Sequence, residues 1–196
     1  MWIRPVSALE HGELTFLDRR YVDGGDPRVL DVMDVPLVIA NPKGCQRENW
    51  LIDKGRPWAK VRVATPEDLE LLVDKSGPIW LNSHSTSQGI NDEVPLAASE
   101  LLTSSLRLVR VESLVLSVLD YYGKRRVRGS FQHQGVDYRL SVTDPTYENN
   151  YGQKPERDYP IGPSFLTISL SEPFEKRQVC YKLIAAIIEC GVKAKQ

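Results

Sequence analysis

Lys124-Arg125-Arg126-Val127-Arg128-Gly129-Ser130-Phe131-Gln132-His133, then Gln134-Gly135, then Val136-Asp137-Tyr138-Arg139-Leu140-Ser141-Val142-Thr143 is the stretch on which the fold turns. Strand side chains alternate with a period of two. In the first run that parity puts Lys124, Arg126, Arg128, Ser130 and Gln132 on one face and Val127, Gly129 and Phe131 on the other. In the second it turns Val136, Tyr138, Leu140 and Val142 inward and Asp137, Arg139, Ser141 and Thr143 outward. Gln134-Gly135 between them is a two-residue turn signal, so the pair is expected to form a hairpin with one core face and one cationic face. Gly129 inside a strand predicts either a bend in a curved barrel or close approach of a ligand to the backbone.

Further strands are expected on both sides of this hairpin. Leu106 to Val111, Val115 to Leu119 and Phe165 to Leu170 read as extended, whereas Val179 to Ile188 satisfies strand and helix templates equally. Upstream lie Trp2 to Val6, Val29 to Ile39 with Pro36 marking an edge or strand end, Asn49 to Ile52, and Trp58 to Val63. One helix start is clear: Thr65 caps, Pro66 suits the first helical position, and Glu67 and Asp68 meet the positive end of the helix dipole. Asn82 to Asp92 is too polar to pack a core and is expected as a surface loop. The chain is therefore expected to be mainly β with one or two short peripheral helices, and to divide near Ser104 and Ser105 into residues 1–104 and 105–196.

The 196 residues carry 25 Lys+Arg and 26 Asp+Glu, a net charge of -1, and the pI is near 6.3. That excludes a protein that coats nucleic acid through net charge alone, which needs a pI above roughly 9. The charge is unevenly spread, however: from Ser104 to Arg139 the balance is +4 and elsewhere it is -5. Such a patch attracts phosphates by releasing counterions, and it equally describes a solvated face that discourages edge pairing. The longest apolar run, Leu183 to Ile188, spans six residues, against the roughly 20 of a membrane helix. A soluble, cytoplasmic protein with no membrane contact is expected. Cys45, Cys180 and Cys190 are odd in number and far apart in sequence, so neither a disulfide framework nor a CxxC metal clip is expected, and a reducing compartment fits.

Stacking on bases requires accessible aromatic faces. The candidates are Trp58, Trp80, Tyr147 and Tyr151, the two tyrosines on the polar stretch before Phe165. Together with Lys124, Arg126, Arg128 and Arg139 they make the candidate nucleic-acid-binding set. His11, His84 and His133 lie in separate segments with no metal-ligand spacing, and no phosphate-binding glycine loop occurs. No metal and no cofactor are expected. A nucleic-acid-modifying enzyme built on the 82–92 loop would need His84 oriented by Asp92 to activate a serine. Asp144-Pro145 is expected to end a strand, and a carboxylate there also suits a metal or a sugar hydroxyl.

Several short landmarks occur in order along nearly the whole chain: Trp2-Ile3-Arg4-Pro5-Val6, Asp26-Pro27-Arg28-Val29-Leu30-Asp31, Glu48-Asn49-Trp50-Leu51-Ile52-Asp53, Trp80-Leu81-Asn82 with Gly89-Ile90-Asn91-Asp92, Val142-Thr143-Asp144-Pro145, and Leu166 to Phe174. In this order they resemble the bacterial dual OB-containing domain family. The resemblance implies two tandem OB-like β-barrels and a role connected with nucleic-acid modification or antiviral defence. It also implies a strand pair ahead of Trp2, so the first barrel is expected to be shortened at its start or completed by a partner chain. The leading expectation is a non-catalytic module that binds single-stranded DNA or RNA beside a separate enzyme. An accessory subunit completed by another polypeptide is the alternative.

Overall fold

Residues 2–121 and 123–191 are described in a computed structural model. The hairpin forms at the expected turn. Gln134 and Gly135 both take positive φ, 52° and 73°, the conformation of a two-residue turn whose twist matches the flanking strands. It joins β8 (Lys124–His133) to β9 (Val136–Val142), with His133 opposite Val136 and Arg128 opposite Ser141. The expected parity holds along both strands: Val127, Gly129, Phe131, Tyr138, Leu140 and Val142 are buried, while Lys124, Arg126, Gln132 and Asp137 are exposed.

β7 (Leu106–Tyr121) is a single long strand where the sequence suggests two. Its C-terminal part pairs with β8 from Leu114 to Tyr121, and its N-terminal part pairs with β10 (Asp158–Leu170) from Leu106 to Ser117. Register shifts around Gly162, whose φ is 97°, let β10 follow the bend. The ambiguous segment is β11 (Val179–Glu189), parallel to β9 at Leu183 and Ile184 and antiparallel to β10. The ladder β7-β8-β9-β11-β10 thus returns to β7 and closes a five-stranded barrel. Leu114, Leu116, Leu140, Leu166, Ile168 and Ile184 fill it and are fully buried, each worth about 1.5–3 kcal/mol of apolar burial. A Cβ on Gly129 would run into Ile184 Cδ1, so this glycine leaves room for the core rather than for a ligand.

The first part of the chain forms shorter strands in two sheets. β1 (Arg4–Val6) runs parallel to β4 (Asn49–Ile52), which is antiparallel to β3 (Leu37–Ala40). β2 (Asp31–Asp34) pairs with β5 (Ala59–Val63). Tyr21, Ile52 and Trp58 form the core between them, with Leu14, Met33, Val35 and Leu37 against it.

Four helices occur among the described residues, more than expected, and all are short. α1 (Phe16–Arg19) and α2 (Pro66–Leu72) each start in a capping box, Thr15 with Asp18 and Thr65 with Asp68. α3 (Leu96–Ser99) follows β6 (Glu93–Pro95), and α4 (Pro145–Gly152) occupies the polar stretch expected as a loop. Asp144 explains α4: its buried carboxylate accepts from the N–H groups of Thr146 and Tyr147, and from that of Ile187 on β11. The strand-end carboxylate is therefore a cap fixed to the barrel. No helix among the described residues is long and apolar enough to cross a membrane.

Backbone pairing and side-chain contacts tie the earlier and later parts of the chain together. β6 adds to β11, with Cys180 opposite Val94, and Ile90 exchanges both backbone hydrogen bonds with Arg139 at the margin of β9. Elsewhere Glu48 accepts from the Ser105 hydroxyl and N–H, while Arg4 donates to the hydroxyls of Ser105 and Ser169, 2.9 and 3.0 Å away.

Candidate nucleic-acid interface

The outer face of the β8–β9 hairpin is one wall of a groove of about 370 Å³. Arg126, Arg128 and Ser141 stand on this wall, Tyr121 at the β7–β8 tip, Arg177 in the 171–178 connection before β11, and Thr86 to Gln88 on the opposite bank. Strand parity brings Arg126 and Arg128 onto one face, and the long β10–β11 connection carries Arg177 over it. The sequence reading missed Arg177, although Lys176-Arg177 between Glu172-Pro173 and a strand was a visible signal.

These cations differ in their freedom. Arg126 is exposed and makes no ion pair among the described residues. Arg128 is half-buried, 3.4 Å from Asp92, and burial lowers its pKa against the pull of that acid. Arg177 reaches Glu93 at 2.7 Å while its side chain stays 49% exposed. Lys124 is exposed at the start of β8, opposite Tyr121 across the β7–β8 turn, and is not among the groove-lining residues. Arg139 lies on the same outer face but is half-buried where its backbone pairs with Ile90, and its Nε is buried without a partner among the described residues.

The opposite bank is built around Asp92. Its carboxylate accepts from the Thr86 N–H and hydroxyl, both at 2.7 Å, besides facing Arg128. Asn91 accepts from the Ser83 N–H and donates to the Asp137 carbonyl. A Cβ on Gly89 would overlap the Asp92 carboxylate, so only glycine fits there. The loop is thus a fixed strap against the barrel. Because Asp92 is committed to Thr86 and Arg128, with no hydrogen bond to the His84 ring among the described residues, the pairing that loop catalysis needs is not assembled here.

The aromatic candidates sit elsewhere. Trp58 is 5% exposed in the core of the first part and offers no face to a base, because β5 folds it under Tyr21 and Ile52. The Trp80 indole N–H donates to the Ser104 carbonyl at 3.0 Å, and its ring packs against the barrel core. Tyr147 and Tyr151 stack at 5.9 Å on α4, one turn apart, which a loop reading could not foresee. Burial and the 2.6 Å bond to Glu189 push the Tyr147 hydroxyl far above its usual pKa. Lys154 Nζ lies 3.5 Å from the centre of the Tyr151 ring, so that face is already occupied. Tyr121, not selected from the sequence, is 47% exposed and lines the groove.

Lys182 is a third residue that the sequence reading passed over. It is fully buried on β11, where its Nζ donates to the Leu81 carbonyl at 2.7 Å and the Asn82 side chain at 3.0 Å, and desolvation pulls its pKa down to about 7. Its phase with Cys180 and Ile184 in an inward-facing series was the available signal. The anchor holds the start of the 82–92 strap.

A family model described as the dual OB-containing domain matches residues 1–187. No curated protein and no solved structure matches the chain.

Proposed function

We propose that this chain, which belongs to the dual OB-containing domain family, binds single-stranded DNA or RNA along the β8–β9 groove, as a module working beside a separate nucleic-acid-processing or defence enzyme. OB barrels take oligonucleotides on the face of their second and third strands, bordered by the loops after the first and fourth. β8 and β9 hold those two positions in the closed barrel, and Tyr121 and Arg177 lie at the two loops. The observation that carries the reading is Arg126, exposed and free of acidic partners among the described residues, lining one groove with Arg128 and Arg177. Phosphates would bridge these cations while a base stacks on Tyr121, an interaction worth about 1–3 kcal/mol.

The test is fluorescence anisotropy with labelled single-stranded oligonucleotides over a salt series. Lys124→Glu with Arg126→Glu changes exposed side chains only. It should weaken binding by roughly tenfold or more and reduce the salt slope by about 0.7 for each phosphate that is no longer neutralised. Wild-type affinity and slope in the double variant would show that the face only keeps the protein soluble.

A further inference from the structure

Cys45 and Cys180, 135 positions apart in sequence, lie side by side with their sulfurs 3.9 Å apart. Cys45 belongs to the turn before β4 and Cys180 to β11, so the pair spans the junction between the two halves of the chain. Both are buried, at 1% and 0% exposure, in a small cluster with Val94 and Leu170. Cys190, by contrast, is exposed. A disulfide needs a sulfur separation near 2.05 Å, so the two sulfurs have about 2 Å left to close.

We propose that Cys45 and Cys180 are a cross-linking site, converted by a peroxide into a disulfide that staples the two halves of the chain together. Its contacts with Cys45 and Ser99 hold the Cys180 thiol below its ordinary pKa, and Cys180 is the sulfur that reacts first. That thiolate attacks one peroxide oxygen and the O–O bond breaks. One oxygen stays on sulfur, making Cys180 a sulfenic acid, and the other departs as hydroxide, which takes up the proton released by the Cys180 thiol and becomes the first water. Cys45 sulfur then attacks the Cys180 sulfur, forming the S–S bond and expelling the hydroxyl with the Cys45 proton as a second water. Two thiols are oxidised by two electrons and one peroxide is reduced to two waters. A dithiol reductant reverses the step.

The staple closes a long loop, and the chain-entropy model assigns such closures a large effect on the unfolded state. The test treats the Cys190→Ser variant of the full chain with hydrogen peroxide, then unfolds it, alkylates free thiols and maps peptides by mass. The expected result is a 45–180 linked peptide two hydrogen atoms lighter than the dithiol pair, with Tm raised by roughly 10 °C and restored by dithiothreitol. Cys45→Ser, in the same background, should show neither change. Full alkylation of both cysteines after peroxide, or sulfinic and sulfonic acids without the linked peptide, overturns the proposal.

Discussion

The Asp92 carboxylate lies 3.4 Å from the Arg128 guanidinium and 2.7 Å from both the N–H and the hydroxyl of Thr86. One buried acid therefore fixes an arginine of the cationic face and the strap opposite it. Asp92→Ala strands a half-buried guanidinium and two donors together. It should cost about 3 kcal/mol, read as a lower urea midpoint, with faster hydrogen exchange at residues 86–89. A loss below about 0.5 kcal/mol would mean that the acid is incidental.

Gly89 and Gly152 make a matched pair for substitution. Gly89→Ala drives a methyl into the Asp92 carboxylate and should cost about 2 kcal/mol, whereas a Cβ at Gly152 meets nothing within 4 Å. Gly152→Ala should be neutral or stabilise by about 0.5 kcal/mol through the unfolded chain. Thermal melts of the two variants should move in clearly different degrees, and equal shifts would refute the close approach at Gly89.

Lys182 gives stability a pH dependence of definite sign. Burial keeps it neutral in the fold from about pH 7 upward, while the unfolded chain holds its proton to the ordinary lysine value near 10.5. Across that window the unfolded state binds more protons, so unfolding free energy should climb with pH. Lys182→Met should flatten the climb. Denaturant titrations of both proteins from pH 6.5 to 9.5 test this, and parallel curves would contradict it.

Trp58 separates packing from recognition. Its indole N–H is buried with no hydrogen-bond partner among the described residues, so Trp58→Phe forfeits ring volume but no bond. A cost of about 1–2 kcal/mol is expected, with oligonucleotide affinity within about twofold of wild type. A tenfold loss of affinity at full folding would return this tryptophan to the interface.

The barrel around β8 and β9 was legible because each strand has one wet and one dry face, and that contrast is written as alternation from Arg126 to Phe131 and again from Val136 to Val142. The Thr65-Pro66 cap was legible for the same local reason. What escaped depends on contacts between distant segments. α4 forms because Asp144 is pinned to the Ile187 N–H as well as to its own helix, and Tyr151 then meets Lys154 rather than a ligand. Of the proposed site, the arginines of β8 followed from pleating. Arg177 and Tyr121 join them only through the path of the connections, and Arg128 is restrained by an acid 36 positions away.

Because Ile90 bonds to Arg139 and residues 93–95 form a sixth strand on β11, the polypeptide leading out of the first half is also a stave of the second. Heat should accordingly dismantle the molecule in one concerted event, with a calorimetric trace of a single peak rather than two.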